Sequence, residues 1–220
     1  MKSPLRHLPL IIAGCLVGAF FWAALQQHAL SAATPKVVVA IAAPALPPIP
    51  QPPPTRIRYS EGSYPSFSLP GGRQEIVRSV LNITKPMRFG DFVWDDKDIP
   101  KGDVWVRVDL ARQLLSVFRD GNEIGSSVIL FGTDGKPTPT GNFTVLQKDA
   151  DHYSSSYDAP MPYMLRLTND GVAIHGSNVR EGYATHGCVG VPIEFARLLF
   201  GAMAKGDRVV IFPIKSDKKA

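Results

Sequence analysis

After Gly102 the chain breaks into short β-prone runs separated by turn signals, and no other feature constrains its fold as much. Val104-Trp105-Val106-Arg107-Val108-Asp109-Leu110 alternates as a strand, and Gln113 to Phe118 follows as its partner. Arg119-Asp120-Gly121-Asn122 carries the Asp-Gly hairpin signal, with a third strand expected over Ile124 to Phe131. Pro137 to Gly141 reads as a turn and Phe143 to Leu146 as a fourth strand. Met164 to Leu167 and Val172 to His175 supply two more, joined through Asn169-Asp170-Gly171. Pro192 to Lys205 reads as an amphipathic helix, with Phe195, Leu198, Leu199 and Met203 inward and Gly206 past its end. Arg208 to Phe212 closes the series as a strand. The result is a mainly β domain of about 110 residues with one helix near its C-terminal end.

The sequence upstream is organised differently. Lys2, Arg6 and His7 precede an apolar run from Leu8 to Leu25, which reads as an export signal or an uncleaved anchor over residues 1–34. A cut near Ser31-Ala32-Ala33 would release the protein, and no cut would hold it in the inner membrane. Ile12-Ala13-Gly14-Cys15 also resembles a lipoprotein processing box. Each route exports the body, and a bacterial periplasm is the expected location. Residues 35–58 form a linker whose Pro44 to Pro54 run spans about 34 Å as a polyproline-like rod. Residues 59–102 are an N-terminal extension in which Gly72 to Leu81 predicts a short helix, and residues 103–215 are the main domain.

Two of the 24 basic residues, Lys2 and Arg6, lie in the leader; 22 remain against 19 acidic ones, without a Lys/Arg cluster. That excludes nucleic acid as the expected partner. Cys15 and Cys188 are the two cysteines, so a disulfide framework is not expected in the exported body. Cys188 stands thirteen positions after His175 and two after His186, and each histidine is followed by a glycine. A thiol needs an adjacent base or positive charge to be a useful nucleophile at neutral pH, and this run supplies one. The chemistry expected is thiol acyl transfer, with His175 as base and the backbone N–H groups of Gly187 and Cys188 as oxyanion donors. Because acidic residues are not obviously placed to orient His175, a backbone carbonyl is expected to do so. A zinc site is the competing reading, with His152 the remaining candidate ligand. His-x-Cys is an uncommon ligand spacing, and metal and cofactor are both expected to be absent.

His175-Gly176, eight intervening residues and Thr185-His186-Gly187-Cys188-Val189 resemble the signature of the L,D-transpeptidases with a YkuD-type catalytic domain. The resemblance extends through Thr138-Pro139-Thr140-Gly141-Asn142-Phe143 and Met161-Pro162-Tyr163, over about residues 103 to 213. It implies a β-sandwich-like fold of mixed sheets whose cleft accepts peptidoglycan stem peptides. It also implies Cys188 as nucleophile, His175 as base, His186 and Gly187 shaping the turn, Thr185 supporting it, and Tyr163 in the donor pocket. The acceptor would be an amine of a neighbouring stem peptide or of a protein. Hydrolysis of the same thioester, giving an L,D-carboxypeptidase, and a non-catalytic wall-binding protein are the alternatives. One position departs from the family pattern: an arginine or asparagine is common two places after the cysteine, where this chain has Gly190.

Overall fold

Side-chain alternation along the strands explains the architecture of the described residues, 55–133 and 135–214, in this computed structural model. The leader and the Pro44 to Pro54 run lie outside the described residues. The extension contributes β1 (Arg56–Arg58), β2 (Ser66–Ser68), β3 (Gln74–Ile76), β4 (Ser79–Leu81) and β5 (Phe92–Trp94). Then come β6 (Val104–Asp109), β7 (Leu114–Arg119), β8 (Asn122–Val128), β9 (Gly141–Thr144) and β10 (Gln147–Ser154). The chain finishes with β11 (Ala159–Arg166), β12 (Ala173–Ser177), β13 (Val189–Pro192), α1 (Ile193–Ala202) and β14 (Arg208–Phe212).

The largest sheet runs β1-β4-β8-β7-β6-β14-β9, with β5 also paired to β8. A second sheet runs β10-β11-β12-β13, and β2 and β3 form a small ribbon. Most pairs are antiparallel, but β14 lies parallel to β6 and β13 parallel to β12. Val106 and Val108 of β6, Leu115 and Val117 of β7, and Val209 and Ile211 of β14 face one way. They share a core with Leu165, Ile174, Val189 and Val191 of the second sheet and Phe195 and Leu199 of α1. Their neighbours Trp105, Phe118 and Val210 face the other way, as a period of two requires. That opposite face is covered by Leu69 and Val77 of the extension, with Phe67 packed edge-on against Trp105 and Phe118.

Several expectations need correction. Gly72 to Leu81 forms no helix; Gln74–Ile76 and Ser79–Leu81 are strands. Ile76, one of the residues expected on a helical inner face, is 51% exposed, whereas Val77 is buried against Trp105 and Phe118. The span expected as linker to residue 58 already enters the sheet as β1 at Arg56. The helix closes at Ala202 rather than Lys205, and Leu198 is only half-buried. Strand β10 was not expected, and neither was β13, which separates Cys188 from the helix.

Candidate active site

The parallel pairing of β12 with β13 brings the two halves of the motif together. Ile174 stands opposite Val189 and His175 opposite Gly190, so Cys188 enters β13 beside Ala173. The loop between these strands must therefore fold back on itself. Gly187 makes its last turn at φ 102°, a conformation that glycine adopts without a Cβ penalty. The backbone N–H of Thr185 donates to Phe131 O at 3.1 Å, which ties this end of the loop to the 131–138 segment.

Cys188 is half-buried, and its sulfur packs with Met161, Met164 and Ala173. The thiol donates to Gly171 O at 3.8 Å. Burial pushes the Cys188 thiol above its ordinary pKa, opposed by the Ala173 N–H and by the charge of Lys136. The cysteine's own carbonyl accepts from Thr185 Oγ1 at 2.5 Å and from Thr138 Oγ1 at 3.5 Å. Thr138 Oγ1 in turn accepts from the Gly132 N–H at 2.9 Å. Two hydroxyls thus fix the backbone that carries the thiol.

His175 is 9% exposed, and its Nδ1 lies 2.9 Å from Gly176 O. A carbonyl only accepts, so this contact places the ring proton on Nδ1 and leaves the Nε2 lone pair free. The backbone orienter expected from the sequence is Gly176. Burial holds His175 below the ordinary imidazole pKa, with the Gly176 carbonyl opposing the shift and nearby His152 adding to it. Cys188 and His175 line one cavity of about 210 Å³, together with Tyr157, Ser177, Thr185 and His186. A neutral imidazole and a neutral thiol lining one cavity suit general-base chemistry rather than a preformed ion pair.

The remaining expected residues divide. Thr185 and His186 reach the cavity, and Gly187 forms the turn beneath it. His186 is exposed, and its ring stacks on Tyr157 at 4.7 Å between centroids. Tyr157, at the tip of the β10–β11 hairpin, also accepts a 2.6 Å hydrogen bond from Lys136 Nζ. Tyr163 is not brought to the cavity; it packs against the core, edge-on to Phe200 of α1 at 5.9 Å. Its backbone φ of 57° turns it out of the strand's alternation, which no periodicity argument anticipates.

Sequence reasoning missed Ser177, Lys136 and Tyr157. Ser177 was within reach, because it lies two residues after His175 on one strand and so shares its face. Its Oγ stands 3.4 Å from His175 Nδ1. It also explains the departure at Gly190: a Cβ there would lie 2.9 Å from Ser177 Oγ and 3.0 Å from Ser177 Cβ. The space that a larger residue would need is already taken by Ser177.

Residues 103–211 match the family profile described as YkuD, the L,D-transpeptidase catalytic domain. L,D-transpeptidase 1 of Mycobacterium tuberculosis is 26% identical over 128 residues, covering 50% of this chain and 51% of that protein. The chain thus spans about half the length of the curated relatives it matches. Among solved structures, an L,D-transpeptidase from Stackebrandtia nassauensis is 29% identical with a TM-score of 0.48, covering 52% of this chain and 57% of that one. One from Enterococcus faecium is also 29% identical, with a TM-score of 0.46 and coverage of 51% and 50%. Through residues 103–211, this chain belongs to the YkuD family of L,D-transpeptidase catalytic domains.

Proposed function

We propose that the protein is an exported cysteine acyltransferase that acts on peptidoglycan stem tetrapeptides. The observation that carries this reading is the shared cavity of Cys188 and His175, with the histidine's Nδ1 proton committed to Gly176 O. His175 Nε2 takes the thiol proton as Cys188 Sγ attacks the carbonyl carbon of the tetrapeptide's L,D bond. The N–H groups of Gly187 and Cys188 face the oxyanion, in a turn braced by Thr185 and Thr138. Collapse breaks the C–N bond, His175 returns its proton to the departing D-amino acid, and a thioester remains on Cys188. An acceptor amine then attacks the thioester, loses its proton to His175 and leaves as the new amide, regenerating the thiol. The basic start and apolar run of residues 1–34 support an exported location for this chemistry, whether that leader is removed or retained as an anchor.

Intact mass after exposure to a carbapenem-type acylating agent tests the first half. Wild type is expected to gain one adduct, and Cys188→Ala none while remaining folded. Equal mass gains for the two proteins would end the enzyme reading and favour a non-catalytic wall-binding role. Incubation with disaccharide-tetrapeptide tests the second half: cross-linked dimers are expected. Tripeptide monomer alone would convert the proposal to an L,D-carboxypeptidase.

A further inference from the structure

The thiol cavity is not the largest concavity. A cleft of about 750 Å³ opens between residues 83–89 of the extension, the start of β7, the end of β8 and the loop after β12. Neither Cys188 nor His175 lines it. Its charged lining is Arg88, Arg112, Arg180 and Glu181, and its apolar lining includes Phe89 and Val128. Three guanidinium groups therefore meet one carboxylate.

Among the described residues, two of those three cations are not neutralised by an ion pair. Arg112 bonds to Asp109 at 2.8 Å, yet its side chain stays 69% exposed. The side chain of Arg180 donates to the neutral Asn178 Oδ1 at 2.9 Å. Arg88 uses its backbone N–H, not its side chain, to engage Asp91. Among the described residues, Arg88 and Arg180 have no carboxylate within ion-pair distance. A cleft of this size is in the range that encloses small ligands and short peptides, about 300–1,000 Å³. A membrane would be met by a flat or convex basic face, whereas this one is recessed.

The position of the cleft is informative as well. Residues 83–89 lie outside the matched family domain, so the extension builds one wall. The loop after β12 builds the other: Val179, Arg180 and Glu181 line the cleft, and Ala184 to His186 line the thiol cavity. A Cβ on Gly90 would lie 3.4 Å from the Val179 carbonyl, so the extension abuts this loop directly.

The geometry points to a second binding site here, for a peptide carrying two or more carboxylates. Without a thiol or imidazole in its lining, the cleft binds rather than reacts. The identity of the occupant as a wall stem peptide, other than the one under attack, rests on the transpeptidase reading. The anion preference of the site does not.

The test uses the full chain with its thiols alkylated by N-ethylmaleimide, which blocks the thiol cavity. Titration with disaccharide-tripeptide is expected to show binding that weakens with added salt. Amidation of the peptide's carboxyl groups should weaken it about tenfold, as should the pair Arg88→Glu with Arg180→Glu. Arg88→Gln with Arg180→Gln should give a smaller loss at an unchanged thermal midpoint. The proposal is overturned if alkylation abolishes binding, if amidated and free peptides bind alike, or if both charge variants match wild type. Phosphatidylglycerol vesicles that bind the cleft arginines without competition from the peptide would overturn it too, in favour of a membrane surface. Failure of the Cys188 adduct to form, with tripeptide binding intact, would instead remove the transpeptidase reading and leave the site.

Discussion

At the scale of single residues, the pair Cys188 and His175 is defined by what burial does to each. Removal from water disfavours both the thiolate and the imidazolium, so the resting pair is neutral. The base form of His175 therefore persists at pH values where a free imidazole would be half protonated. Acylation should accordingly hold a plateau from below pH 6.5 into the alkaline range and fall only on the acid side of it. In His175→Ala the rate should instead still be climbing at pH 9, following the raised thiol pKa; stopped-flow acylation across pH distinguishes the two profiles. Gly190 gives the second test. Gly190→Asn must displace Ser177, and overpacking of this kind costs about 1–3 kcal/mol. A lower thermal midpoint is expected, partly recovered when Ser177→Gly is added. Cys188, His175 and the need for a backbone carbonyl beside the imidazole could be named from the sequence because thiol and imidazole sit on one short run, and the fold brings both to one cavity. Tyr163, which the resemblance puts in the donor pocket, packs instead against Phe200 of α1, at a positive φ that takes it out of the strand's alternation.

At the scale of elements, the β10–β11 hairpin lines the cavity with Ser154, Tyr157, Ala159, Pro160 and Met161, and Tyr157 ties its tip to the neighbouring loops. Tyr157 stacks on His186 and accepts from Lys136, so three separate loops meet at one ring. An aromatic contact of this kind contributes about 0.5–1.5 kcal/mol to holding the hairpin tip against the cavity. Tyr157→Ala should shorten the lifetime of the Cys188 thioester against water by about two- to tenfold. A time course of adduct mass after removal of free reagent measures this, and an unchanged lifetime would show that the hairpin does not shield the acyl group. None of this was visible in sequence, since Lys136, Tyr157 and His186 lie on three different loops and share no motif. The misreading of Gly72 to Leu81 has a related cause. Over ten residues, Ile76, Val77, Val80 and Leu81 suit a helical face as well as two short strands. The choice was made by the exposed edge of β8 and the uncovered face holding Trp105 and Phe118.

For the whole molecule, the extension and the catalytic domain share one sheet. Buried Arg56 fastens them, donating to Ser79 Oγ at 3.2 Å and to the carbonyls of Asp95 and Glu123. Arg56→Met would leave those acceptors buried without a donor, at a cost of about 3 kcal/mol. Denaturant titration should show that loss, and the folded fraction should still acylate at the wild-type rate. The alternation of β6 contained a hint of this arrangement: Trp105 sits on what would otherwise be its solvent side. The order of the large sheet has a further consequence. Its last-made strand, β14, lies between β6 and β9 rather than at an edge. Strand β9 has β14 as its neighbour in that order, so it can join the sheet only after Arg208–Phe212 has been made. A chain lacking Arg208–Phe212 would thus carry the complete Cys188 motif on an unfinished sheet, with β6 left as its edge.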